Sequence, residues 1–206
     1  LSNWGTKRYK FTHVSSPGQK GETGYLTLET KLTRDGVILK DRFIFEMKGK
    51  EVTMDMTQTC RRDKYLSPTH IECKGKGDDE FQTFKATIKE GKASIKGERN
   101  KIMEIPEGTV TMFAFFRIVT QIPRQAGATY VYDYGLEASE MNLKANYRVQ
   151  VIGKETIIAD EVPVKCWKIK QTGQGIHEQF YWVTEDGLLQ RVLIDGRKQM
   201  DLQLGD

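Results

Sequence analysis

Along most of the chain, apolar and polar residues alternate with a period of two, and each run stops at a cluster of Gly, Pro, Asn or Asp. The pattern predicts short antiparallel strands joined by tight turns. Residues 51–60 are the clearest case: Val52, Met54, Met56 and Cys60 share one face, and Thr53, Asp55, Thr57 and Thr59 share the other. Residues 37–48 set Phe43, Phe45 and Met47 against Arg42, Glu46 and Lys48, and the preceding Asp35-Gly36 is a strong hairpin signal. Beyond Pro123, Tyr130, Tyr132 and Tyr134 share a face, then Ala145, Tyr147, Val149 and Val151, and further strands follow at intervals of roughly ten residues.

One stretch breaks the alternation. In residues 109–123 (TVTMFAFFRIVTQIP), Met112, Phe115, Phe116, Val119 and Ile122 recur at three and four positions, the spacing of one helical stripe. Thr109 or Thr111 can cap the start, and Pro123 bars continuation. A helix of about three turns is too short to persist alone in water, so its aromatic stripe must pack on the sheet. Arg117 inside it needs either solvent at its guanidinium or a carboxylate partner. The expected architecture is mainly β: a single domain over residues 1–206, built as one large, strongly curved antiparallel meander. This half-barrel or open barrel surrounds one short helix at 111–122. Helix-period crossovers are absent, which excludes a parallel sheet and the nucleotide-binding α/β architectures.

Composition narrows the function classes. With 206 residues and 38% hydrophobic content the chain can bury one real core. Its net charge of +4 comes from 32 basic and 28 acidic residues spread along the whole length, a mixed surface with no nucleic-acid footprint. No run approaches the ~20 apolar residues of a membrane helix, so an integral helical membrane protein is excluded and peripheral envelope association stays open. The chain begins at Leu1, for which a removed signal peptide is one explanation.

Residues in a pattern that could carry chemistry are few. His13, His70 and His177 lie in different strands without a neighbouring nucleophile pattern, so no catalytic residue is expected and the protein reads as a non-enzyme. His70 and Cys73, three apart on a strand, point to opposite faces and do not form a metal site. Gly75/Gly77 and Gly173/Gly175 lack the strand-to-helix setting of a phosphate cradle, so no cofactor is expected. Cys60 and Cys73 are a candidate disulfide: a hairpin centred between Leu66 and Ser67 would set them opposite one another, leaving Cys166 as a free thiol.

The most suggestive feature is the Phe- and Met-rich face of Phe43, Phe45, Met47, Met54 and Met56, with Phe113 or Phe116 from the helix. These residues either pack under the helix or form the wall of a cavity for an apolar ligand such as an acyl chain. About a dozen strands span far more than the ~10–12 Å width of a helix, so apolar surface is expected to stay uncovered. The leading expectation is therefore an apolar or amphipathic, lipid-like ligand. The rival is a structural or protein-interaction module without a cavity.

Arg117 followed by Ile122-Pro123, Gly127 and Tyr130, then Val164-Lys165-Cys166-Trp167-Lys168 and the closing FYWVTEDGLLQRVLIDGRKQMDL, resembles an uncharacterised family of bacterial cell-envelope proteins. In that family a helix with an arginine, a G-x-x-Y strand and a W-x-x-x-x-G-L hairpin recur on a large antiparallel sheet. The resemblance covers residues 116–204. It implies a periplasmic or cell-envelope location and an architecture similar to the periplasmic lipoprotein carriers, and it carries over no catalytic residue.

Overall fold

The computed structural model describes residues 5–13, 23–47, 50–77, 83–97, 100–196 and 198–203, with the side chains of His13, Met47 and Lys198 outside that set. The first meander comprises β1 (Thr6–His13), β2 (Thr23–Leu32), β3 (Val37–Met47), β4 (Lys50–Cys60), β5 (Pro68–Lys76), β6 (Phe84–Lys89), β7 (Lys92–Gly97) and β8 (Lys101–Glu104). A two-residue strand, β9 (Val110–Thr111), leads into the helix α1 (Met112–Ile118). The second meander is β10 (Thr129–Glu137), β11 (Asn142–Ala159), β12 (Val162–Thr172), β13 (Gln179–Val183), β14 (Leu189–Ile194) and β15 (Lys198–Leu202).

Among the described residues all fifteen strands belong to one sheet, because β1 and β15 pair antiparallel and join the two meanders. Its edges are β8 and β9, and they do not pair into a closed barrel. Side chains bridge the two halves instead: Lys101 Nζ donates to the Met141 carbonyl at 3.4 Å, and the Tyr65 and Tyr132 rings meet at 6.1 Å between centroids.

The helix starts where the sequence places it. Thr111 is extended, and its hydroxyl accepts from the Ala114 N–H at 3.1 Å, satisfying one of the first-turn donors. It ends earlier than residue 122, because Thr120 Oγ1 donates to the Arg117 carbonyl at 2.8 Å and the chain unwinds into turns before Pro123. Burial is also not confined to a stripe. Every residue from Phe113 to Ile118 is buried, since sheet lies on both sides of the helix: Phe43 on Phe113, and Tyr132, Tyr147 and Tyr181 on Phe115.

The proposed Cys60–Cys73 disulfide is overturned by the register. Cys73 pairs with Met56 and Cys60 with Pro68, so Cys73 faces a position four residues before Cys60. At ~3.3 Å per residue that offset is about 13 Å, against a Cα separation below about 7 Å for a bridge. The cause is the turn between β4 and β5. The Asp63 carboxylate accepts from the N–H groups of Tyr65 (3.0 Å) and Ser67 (2.9 Å), which moves the centre of the hairpin towards the N-terminus. All three cysteines are free and buried. Loss of water pushes the Cys60 thiol up to about 12, and those of Cys73 and Cys166 up to about 11. These thiols are therefore expected to stay silent towards a thiol reagent in the native protein. In denaturant without reductant, three should titrate, and a count of one would restore the bridge.

Candidate functional site

Two inward-facing rows that are otherwise apolar carry a polar residue: Asp41 between Leu39 and Phe43, and Gln58 between Met56 and Cys60. Both meet the helix. Thr111 Oγ1 donates to Gln58 Oε1 at 2.6 Å, and Arg117 Nη1 lies 2.5 Å from Asp41 Oδ1 with neither side chain exposed. Arg117 spreads its other donors over the Phe113 carbonyl (3.2 Å), the Glu29 carbonyl (3.1 Å) and Thr30 Oγ1 (3.2 Å). Asp41 is held by charge and proximity more than by aligned hydrogen bonds, and its Oδ2 has no hydrogen-bond partner among the described residues. Burial pushes its carboxyl up to about 6, with Arg117 pulling the other way.

These contacts fix where the helix lies. Gln58, Asp41, Glu29 and Thr30 occupy the half of the sheet next to the turns at 33–36 and 61–67, here the lower half. Past the helix, Arg124 reaches the Glu185 carbonyl at 3.4 Å in the turn between β13 and β14, on the same rim. The helix and its exit therefore plug the lower end.

Inward-facing side chains continue beyond the helix towards the upper rim. Tyr181, Val192, Met200, Phe11, Gly24 and Phe45 are successive cross-strand partners in one row over β13, β14, β15, β1, β2 and β3. Phe11, Phe43 and Phe45 are only partly buried there. Of the residues singled out by sequence, Phe43, Met54 and Phe113 come together: Phe43 pairs with Met54, and its ring meets Phe113 edge-on at 5.6 Å. Phe45 sits one inward position further up. Met47 closes β3, and its side chain lies outside the described residues. Met54 and Met56 are core side chains at 6% and 1% exposure. Phe116 lies across the interior against Tyr181, and the gap it borders with Tyr9, Leu26, Leu28, Leu189, Val192 and Met200 has no room for a water molecule.

Sequence reasoning missed a polar group on the inner wall. Gln171 and Gln179 alternate in phase with Ile169 and Tyr181, the signal that would have found them, and both are buried. The Tyr181 oxygen lies 2.5 Å from Gln171 Oε1 and 2.6 Å from Gln179 Oε1. A hydroxyl has one proton, so one of the two amides must be turned to donate to it. Nearby, the Tyr147 ring lies over Gly135, where a Cβ would sit 2.1 Å from it, and reaches Phe115 at 6.2 Å. The Tyr147 hydroxyl and Gln171 Nε2 have no hydrogen-bond partner among the described residues.

Two surface grooves offer less. One of about 400 Å³ at the lower rim mixes Arg61 and Lys89 with Glu90 and Glu107. Another of about 360 Å³ crosses the outer face of β2 to β5, where the charges pair off: Lys40 with Glu29, Arg42 with Asp55, Lys74 with Glu72. Among the described residues no three His, Cys, Asp or Glu side chains gather to hold a metal ion, and no helix is long and apolar enough to cross a membrane.

No family model matches the sequence, and no curated protein matches it. In fold the chain is similar to the crystal structure of a β-barrel-like protein of domain of unknown function DUF1849 from Brucella abortus, with a TM-score of 0.64 over 98% of this chain and 95% of that one. The two share 13% sequence identity, so the likeness is one of fold: a large antiparallel sheet, barrel-like and not closed.

Proposed function

We propose that the protein binds an apolar or amphipathic, lipid-like ligand, without catalysing a reaction, at the upper end of the open barrel and in the bacterial cell envelope. One observation carries the reading: the helix plugs the lower half, while the inward row runs on to Phe11 and Phe45, which stay partly exposed. Burying such a side chain from full exposure is worth roughly 1.5–3 kcal/mol, and the part of it still exposed is a driving force that the described residues do not use. The envelope location is supported by the helix-arginine, G-x-x-Y and W-x-x-x-x-G-L motifs of the second half.

Titration with a fluorescent fatty-acid analogue is expected to give saturable binding near the micromolar range, about −8 kcal/mol. Phe45→Asp should abolish it, because a charge would enter the apolar contact, while the partly exposed position lets the fold survive, as a thermal melt would verify. Met56, fully buried, is the wrong place for that test.

Absence of saturable binding would favour a protein-interaction role, which has its own supporting feature. β9 covers β10 only at Gly135 and Leu136, so residues 129–133 of β10 have no strand partner on that edge among the described residues, and Val131 is 58% exposed.

A further inference from the structure

The inner wall between α1 and the upper rim holds two polar groups that the fold does not use. Tyr147 Oη and Gln171 Nε2 are buried without a hydrogen-bond partner among the described residues, at 0% and 1% residue exposure. Leaving a buried polar group unpaired is costly, and phenylalanine or leucine would avoid that cost in the same space. The two lie on neighbouring strands. Gln171 is the cross-strand partner of Val149, two residues from Tyr147 on the same face, and Tyr147 and Tyr181 both flank Phe115. Tyr181, whose hydroxyl contacts Gln171, begins the inward row that leads through Met200 and Phe11 to Phe45.

Resting on the function proposed above, we infer that Tyr147 and Gln171 are the polar anchor of the ligand site and take the neutral carbonyl oxygen of an acyl ester, whose chain follows the row towards Phe45. The chemistry selects that head group. With Gln179 the amide that turns to donate to Tyr181, Gln171 keeps its orientation and both orphaned atoms are donors, so they call for an acceptor. A free carboxylate is disfavoured, because its charge would be buried there without a partner. Ile176 packs beside Tyr147 over Gly173 and is the side chain an arriving ligand displaces.

The experiment measures binding of a long-chain monoacylglycerol and of an alkane of the same chain length to the wild type, Tyr147→Phe and Gln171→Leu, together with the melting temperature of each unliganded protein. Each variant is expected to lose about tenfold in affinity for the ester and to keep its affinity for the alkane. The unliganded Tyr147→Phe protein should melt higher than the wild type, since it loses an unpaired buried hydroxyl. Unchanged ester binding, with Tyr147→Phe melting lower, would overturn the anchor and assign the hydroxyl to a structural water, leaving the ligand site standing. If neither ester nor alkane binds the wild type, both proposals fall.

Discussion

Arg117→Met is expected to cost about 3–5 kcal/mol in urea denaturation, because it leaves a buried carboxylate without its counter-charge, and Asp41→Asn less, because burial already favours a neutral group at that position. The guanidinium and carboxylate are 2.5 Å apart with no exposed side-chain surface, and Arg117 also ties the helix to β2 through Glu29 and Thr30. Losing the cation therefore also loosens the plug. The double replacement Asp41→Leu with Arg117→Met should recover most of the loss, since desolvating two ions offsets much of their attraction. A loss under about 1 kcal/mol for Arg117→Met would show that water reaches the pair.

The same pair gives stability a pH dependence whose sign is fixed by burial. An aspartate of ordinary pKa near 3.9 is pushed up to about 6 here, so between those values the folded protein holds a proton that the unfolded chain releases. Asp41 thus contributes most to stability below about pH 4, and that contribution is lost as pH rises through 6. Glu72 is shifted down by Lys74 and Lys85, and Glu155, against its partial burial, by Lys168 and Trp182; both act in the opposite sense, so the quantity to compare is the difference between wild type and Asp41→Asn. A difference that stays flat from pH 4 to 7 would mean that Asp41 is ionised throughout.

Much of the architecture was legible because it depends on period and punctuation. The alternation of β4 puts Val52, Met54 and Met56 inside, and the aromatic spacing with Thr111 as cap finds α1. The requirement that Arg117 be paired if buried is met by Asp41. What escaped were facts of pairing between distant segments. Asp41 and Gln58 look like ordinary polar residues in strands until the sheet brings them to Arg117 and Thr111, more than fifty positions away. The cysteine register turned on one Asp63 side chain reshaping a turn. At the candidate site Phe43, Met54 and Phe113 were readable from the apolar face, whereas Phe11, Tyr147 and Gln171 join it only through the β1–β15 seam and the β11–β12 register.

Phe115→Ala should be among the most damaging substitutions in the chain, at about 3–5 kcal/mol, the range for emptying a fully buried aromatic site. The ring has no exposed surface and meets Tyr132 at 5.6 Å and Tyr147 and Tyr181 at 6.2 Å each, so together with Phe116, which also meets Tyr181, it holds the second meander to the helix. Arg117 holds the first meander from the same turn of helix. Both halves of the sheet are thus anchored to one short helix that is unstable by itself, and they meet elsewhere mainly along β1 and β15. The hole would be hard to fill by collapse, because its walls are three tyrosines fixed on separate strands of a hydrogen-bonded sheet. Phe115→Leu, which keeps most of the volume, should lose less. Equal and small losses for both variants in chemical denaturation would show that the two meanders stay together without the helix.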